Sequence, residues 1–193
     1  MSKKLLFYNI DSEYINYLKK YQKHIWNNDD KDHVRPYVGI VVEMNGFNYY
    51  APLSSPKGKH NNMDERLDFI KIEDKTGLKA VINLNNIIPV SKENIFLVDL
   101  DNQDEPYRRL LMLEGNLIRK KKNLIINNAK SIYDKVVKYA HENLNLVRIC
   151  YNFKLLEQKC LEYQAYQEVA LTLDEYIEPK GIKENVEVEK TEV

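Results

Sequence analysis

Cysteine is scarce in this 193-residue chain: only Cys150 and Cys160 occur, ten positions apart in a stretch that reads as helical. That spacing does not suit a disulfide, and two small buried side chains are the expected use. Zinc motifs are missing as well. The four histidines, His24, His33, His60 and His141, never fall at i, i+4, and no Cys-x-x-Cys occurs, which excludes the common zinc spacings. Long apolar runs are absent: Val38–Val42 and Ile95–Val98 fall far short of the roughly 20 residues that span a bilayer. Met1-Ser2-Lys3-Lys4 leads into a strand pattern and not a secretory apolar stretch, so a cytoplasmic protein without membrane contact is expected. There is no internal repeat.

Net charge is zero, with 29 basic and 29 acidic side chains, yet its distribution is uneven. Asp174–Val193 holds seven acids against three lysines, which leaves Met1–Leu173 at +4. Within that body, Arg108–Lys138 carries Arg108, Arg109, Arg119, Lys120, Lys121, Lys122, Lys130, Lys135 and Lys138 against Glu114 and Asp134. Such a stretch is a candidate surface for a polyanion. The length and the 44% hydrophobic content fit one compact domain, residues 1–173, followed by an acidic tail, residues 174–193, expected to be disordered.

The hydrophobic period changes once along the chain. Before residue 100 the pattern is of strands: Leu5–Ile10, Tyr37–Met44, Phe47–Leu53, Leu67–Ile72, Leu78–Leu84, a short bridge at Ile87–Val90 limited by Pro89, and Ile95–Leu100. Asn45-Gly46 between the second and third runs predicts a two-residue type I′ hairpin. One early helix is expected after the Asp11-Ser12 cap. From Pro106 the spacing is helical through Ile125, resumes over Ile132–Ala140, and Asn152 caps a last helix from Phe153 to Tyr163 that weakens toward Glu175. Strands first and helices after argue an α+β fold with a single antiparallel, strongly twisted sheet.

Directly behind the hairpin lies APLSSPKGKHNN. Ser54, Ser55, Lys57, Lys59, His60, Asn61 and Asn62 can donate hydrogen bonds or carry positive charge, and no carboxylate falls among them. That mixture suits a phosphodiester cut without a metal, on a loop mounted where a strand leaves a sheet. Metal-free RNA cleavage has the ribose 2′-OH attack phosphorus and expel the 5′ oxygen. It needs proton transfer at both oxygens and stabilisation of the extra phosphorane charge. Lys57 is the principal candidate, as phosphate ligand and proton-transfer group, against the plain alternative of a solvated turn lysine. Ser54 and Ser55 would hydrogen-bond non-bridging oxygens, although turn capping is the simpler job for each. His60 could act as acid or base near neutral pH, although a lone histidine is more often structural.

The collinear series FYNIDSEYINYLK, YVGIVVEMNGFNYYAPLSSPK, KHNN, VINLNNIIPV, PYRRLL and NFKLLEQK, from about Leu5 to Tyr163, resembles the ToxN/AbiQ family of type III toxin–antitoxin endoribonucleases. The resemblance implies a small barrel-like sheet of the Kid/MazF kind with surrounding helices. It also implies a sequence-selective ribonuclease; the loop itself, with cations and hydroxyls but no ligand cluster, is the reason to expect cleavage without cofactor or metal that leaves a 2′,3′-cyclic phosphate. Its implied partner is a pseudoknotted antitoxin RNA that it processes from a repeat precursor and holds in a closed protein–RNA ring, with cellular and phage mRNA as substrate and phage defence as outcome. Ser54 stands where the family has threonine and keeps the hydroxyl. Arg35 stands where the family tends to have lysine; an arginine clamps a phosphate but releases no proton, so phosphate stabilisation is its expected role. Tyr14, which reads as core by spacing, matches a site tyrosine and is assigned base stacking or a phosphate contact. Arg108, Arg109, Arg119, Lys120 and Lys122 join Lys59, Asn61 and Asn62 as expected RNA ligands. Two other classes compete: a non-catalytic RNA-binding module using the same loop, and a metal-dependent nuclease built on Asp64, Glu65 and Asp68, whose spacing suits a strand lead-in better than a metal cage.

Overall fold

A computed structural model describes residues 5–26 and 36–177. Seven strands form its sheet: β1 (Leu6–Ile10), β2 (Tyr37–Met44), β3 (Phe47–Ser54), β4 (Phe69–Asp74), β5 (Gly77–Asn83), β6 (Ile88–Pro89) and β7 (Ile95–Leu97). The order is β4-β5-β3-β2-β1-β7, with β6 paired to β3 off that path, and every pairing is antiparallel. The α+β expectation therefore holds. No pairing joins β4 to β7 among the described residues, so the barrel-like sheet stays open. β3 is the hinge of the arrangement: Tyr49 and Tyr50 pair with β6, whereas Leu53 and Ser54 pair with β5. The strand thus carries its C-terminal end, and the loop behind it, from one part of the sheet to another.

The hairpin forms as its sequence demands, with Asn45 at φ 50° and Gly46 at φ 81°, the double positive φ of a type I′ turn. Gly39 is required for a different reason. It sits opposite Tyr50, and a Cβ there would lie 2.0 Å from the Tyr50 ring.

Helices cover the sheet: α1 (Ser12–Lys19), α2 (Gly58–Asn61), α3 (Glu105–Lys120), α4 (Lys122–Val137), α5 (Leu144–Ile149) and α6 (Phe153–Ile177). The Asp11 carboxylate caps α1 by accepting from the Tyr14 amide at 2.8 Å, and Asn152 caps α6 through the Leu155 amide at 3.1 Å. The long helical pattern after Pro106 is broken at Lys121 into α3 and α4. Helix α6 runs past the expected boundary at residue 173 to Ile177; residues 178–193 of the acidic tail lie outside the described residues. Both cysteines are free, with Cys160 buried. Among the described residues no helix is long and apolar enough to cross a membrane.

The core is rich in tyrosine, and each of the following hydroxyls finds a partner, as burial of a phenol requires. Tyr37 donates to the Trp26 carbonyl at 2.8 Å and Tyr151 to the His24 carbonyl at 2.7 Å. Tyr49 donates to Glu157 Oε1 at 2.8 Å, as does Tyr133, and the hairpin residue Asn45 donates to the Tyr133 hydroxyl at 2.6 Å. Lys154 pairs with the other Glu157 oxygen. Glu157 is 2% exposed. This network fastens the hairpin tip to α4 and α6, holding β3 in place from behind.

Candidate active site

Strand β3 ends at Ser54, and one helical turn, α2, follows Lys57. The turn is closed by the imidazole of His60. The Lys57 amide donates to His60 Nδ1 at 3.1 Å, and the His60 amide donates to the Lys57 carbonyl at 2.8 Å. A ring nitrogen that accepts a hydrogen bond carries no proton, so His60 is neutral with its proton on Nε2. Burial holds the imidazole below its ordinary pKa, and the charges of Lys59, Lys57 and Lys71 push the same way. The ring is buried and lies 5.4 Å from Phe69. As placed, His60 fixes the backbone of Lys57 in a state where it has no free nitrogen to take a proton.

The chemistry-bearing side chains divide by burial. Ser55, Lys57, Lys59, Asn61 and Asn62 are exposed. Ser54 is 3% exposed, paired with Val81, and its hydroxyl oxygen accepts from Asn83 Nδ2 at 3.3 Å. It holds the strand end, and Ser55 is the hydroxyl that reaches solvent. The Lys57 ammonium stands 5.9 Å from the centre of the half-buried Trp26 ring. Arg35, expected to stabilise phosphate, lies outside the described residues.

Tyr14 departs from its assignment. The resemblance gives it an RNA contact, but it is completely buried. Its hydroxyl donates to the Pro89 carbonyl at 2.7 Å, and its ring packs 5.1 Å from that of Tyr163. Helical spacing puts Tyr14 with Ile15 and Leu18, and the structure follows spacing: a ring with no accessible face cannot stack on a base.

A cation with no signal in the sequence sits beside the loop. Lys71 of β4 donates from Nζ to the Asn61 carbonyl at 3.1 Å, closing the C-terminal end of α2. Strand alternation turns Lys71 away from the buried Ile70 and Ile72, but only the β3-β5-β4 order brings it to α2. Glu65 then ties this region to the helices: its Oε1 accepts from the Lys71 amide at 2.9 Å and from Lys121 Nζ at 2.6 Å. Lys121 also donates to the Lys71 carbonyl at 2.8 Å. The α3–α4 junction therefore abuts the loop, and Lys120 and Lys122 flank it.

The rest of the basic stretch is dispersed. Arg108 and Arg109 both pair with Glu105 within the first turn of α3, and twelve helical positions separate Arg109 from Lys121, about 18 Å. Arg119 donates to Asn116 and lines a cavity between α3, β1 and β7. As for carboxylates, Asp68 is gripped by Arg66 at 3.2 and 3.0 Å, and Glu65 is occupied as described. Among the described residues no three His, Cys, Asp or Glu side chains gather as a metal site.

An open antiparallel sheet with helices behind it, presenting a lysine-rich, histidine-closed turn at a strand end, defines the class: a single-domain α+β protein with a cationic loop site. Residues 6–161 match the family described as Toxin ToxN, type III toxin–antitoxin system, and the chain belongs to that family. Endoribonuclease ToxN of Pectobacterium atrosepticum is 34% identical over 167 residues, covering 81% of this chain and 92% of that protein. Two solved structures are similar throughout. One concerns selective toxin inhibition by a non-coding RNA pseudoknot (TM-score 0.74, 28% identity, 84% of this chain and 99% of the other). The other concerns a bacterial antiviral system regulated by a processed non-coding RNA (TM-score 0.71, 32% identity, 82% and 98%).

Proposed function

We propose that this chain is the endoribonuclease toxin of a type III toxin–antitoxin system, cutting RNA at the Ser55–Asn62 turn without a metal ion. The observation that carries the reading is the turn itself: an exposed Lys57 whose backbone is clamped by His60, between the exposed Ser55 and Lys59, in a chain of the ToxN family. In the reaction the 2′ oxygen gives its proton to solvent water and bonds to phosphorus, the P–O5′ bond breaks, and the 5′ oxygen takes a proton from the Lys57 ammonium, which regains one from solvent. The products are a 2′,3′-cyclic phosphate and a 5′-OH. Lys57 holds the non-bridging oxygens and is the group assigned to protonate the leaving oxygen. Ser55 adds a hydrogen bond to the phosphorane; Arg35 adds charge. Ser54 and His60 position these groups.

The inhibitor in this reading is a pseudoknotted antitoxin RNA, by analogy with the pseudoknot-inhibited structure; that the toxin processes this RNA and is held with it in a closed assembly is the further part of the proposal. Lys59, Asn61, Asn62, Lys120 and Lys122 surround the turn as its phosphate contacts, and cellular and phage mRNA are the substrates when the antitoxin fails. The test is purified protein with mixed RNA, in EDTA and in Mg²⁺, followed by end-group analysis of the fragments. Cyclic phosphate and 5′-OH ends in both conditions are expected. Cleavage abolished by EDTA and restored by Mg²⁺ would overturn the mechanism, and RNA bound but never cut would leave a binding module.

A further inference from the structure

Away from the loop, the seam between α1 and α6 carries a run of tyrosine rings. Tyr21 lies 5.3 Å from Tyr17, Tyr17 lies 5.0 Å from Tyr163, and Tyr163 lies 6.5 Å from Tyr166. Two ammonium groups lie on these rings, Lys159 at 4.3 Å from Tyr21 and Lys20 at 5.9 Å from Tyr17. The run begins in the core, where Tyr163 is 8% exposed, and ends in solvent, where Tyr166 is 69% exposed. A cavity of about 450 Å³ opens on it, lined by Glu13, Asn16, Tyr17, Lys20, Tyr163 and Tyr166, which falls within the size range of small-ligand sites. Glu13, Asn16 and Lys20 share the outward face of α1 and are exposed. Among the described residues neither Glu13 nor Asn16 has a side-chain hydrogen bond. The charge on the seam is mixed: Glu162 accepts from Lys159 at 2.6 Å and from Tyr17 at 3.3 Å.

We propose that this seam binds one unpaired nucleobase of RNA, guanine by preference, with Tyr166 and Tyr17 as stacking faces, Glu13 and Asn16 on the base edge, and Lys20 on the adjoining phosphate. The inference rests on the RNA reading above. Aromatic faces with interspersed cations form a stacking platform for single-stranded RNA. A carboxylate only accepts hydrogen bonds and an amide both accepts and donates, which matches the adjacent N–H donors and carbonyl on guanine's Watson–Crick edge. Adenine presents a ring acceptor that Glu13 would repel. Burial raises the pKa of Tyr17 and Tyr163 above the usual phenol range, so both keep their protons and present no second negative charge. Lys20 is six residues from Trp26, at most about 20 Å along the chain, so the same RNA can occupy both the seam and the loop.

The test uses labelled 2′-O-methyl oligonucleotides, which lack the attacking hydroxyl, carrying guanine, adenine or an abasic unit at one position of an otherwise uniform uridine strand. Anisotropy titrations of the full chain should show guanine bound about 5- to 100-fold tighter than the abasic strand. Tyr166→Ala should erase that difference, Glu13→Gln should narrow guanine against adenine, and Lys57→Ala should leave it in place. Equal affinities for all three strands, or a Tyr166→Ala loss identical with the abasic strand, would overturn the base site. No binding to any strand would overturn it too and leave the seam to a protein partner. The two readings fail separately: wild type that cuts RNA with no Tyr166 effect sinks only the seam, and base-dependent binding without cleavage sinks only the ribonuclease.

Discussion

Replacing His60 by asparagine and, separately, by alanine distinguishes a positioning role from acid–base catalysis. In the structure Nδ1 is the acceptor for the Lys57 amide at 3.1 Å. Asparagine Oδ1 occupies the same branch position, so His60→Asn keeps the acceptor while removing the titratable ring. His60→Ala removes both. Leaving a partly buried amide unsatisfied costs about 1–3 kcal/mol, and if that penalty falls on the cutting-competent turn it lowers cleavage about 5- to 150-fold. His60→Asn should lose only a few-fold, since the clamp survives. A true acid or base would contribute about 10²–10⁴-fold and would be lost equally in both variants. The assay is single-turnover cleavage of one defined RNA, with binding measured separately. A loss of 10²-fold or more in His60→Asn, matching His60→Ala at unchanged affinity, would refute the positioning role. A second readout follows from linkage. His60 has a lowered pKa when folded, chiefly from burial, with Lys59, Lys57 and Lys71 contributing. Below its unfolded value of about 6.5 the unfolded chain binds the proton more readily, so stability falls with falling pH in that window and is unaffected above it. The melting temperature of wild type should drop more steeply than that of His60→Asn as pH is lowered from 7.5 to 5.

The other expected outcomes are these. Lys57→Ala removes an exposed side chain and should abolish cleavage and toxicity with the melting temperature unchanged; retention within about tenfold, 1.4 kcal/mol of barrier, would remove Lys57 from the mechanism, and Lys57→Arg should restore binding better than turnover. Gly39→Ala pushes a methyl against the buried Tyr50 ring and should cost about 1–3 kcal/mol, lowering the melting temperature by roughly 2–12 °C; thermal unfolding within 1 °C of wild type would contradict the packing. Replacing Arg119, Lys120 and Lys122 together by glutamine should flatten the dependence of log K on log salt for structured RNA by up to ~0.7–0.9 for each phosphate no longer neutralised; an unchanged slope would assign the run to an ordinary solvated face.

The hairpin, the order of strands then helices, and the caps at Asp11 and Asn152 were legible because each rests on local chemistry: positive φ at Asn45-Gly46, side-chain oxygens at N-caps, and alternation against helical spacing. Ranges shifted where partners decided them. The fourth strand was expected at Leu67–Ile72 and forms at Phe69–Asp74, because β5 sets its register through the Asp74–Gly77 turn. The candidate site was half legible. Loop chemistry marked the turn and made Lys57 the principal candidate, which the family resemblance strengthened, but neither could tell Ser54 from Ser55. Burial separates them, and it depends on β5 arriving beside β3. Lys71 was invisible for the same reason, since nothing in FIKIED indicates that its lysine will close a turn ten residues earlier. Tyr14 shows the opposite error: helical spacing identified it as core, and the resemblance outweighed that reading.

Lys121 changes what the basic stretch can do. Counted along the sequence, Arg108–Lys138 looks like one cationic surface, separate from the loop. In the fold, Arg108 and Arg109 lie at the far end of α3 with Glu105 between them, and surface pairs of that kind contribute little to stability and screen each other's field. Lys121 meanwhile gives its charge to Glu65 and its geometry to Lys71, so the cations beside it are set against the α2 turn. The basic groups that adjoin the turn are therefore those at the α3–α4 junction, next to Lys59, Asn61 and Asn62, and the proposed RNA surface is centred there. Breaking the Lys121–Glu65 pair should loosen the attachment between loop and junction, because Glu65 holds the Lys71 amide as well as the Lys121 ammonium. Antitoxin gripped across both elements would sense that loosening, whereas a short substrate held by the turn alone would not. On the proposed function, inhibition and cutting would then use overlapping but unequal parts of one surface.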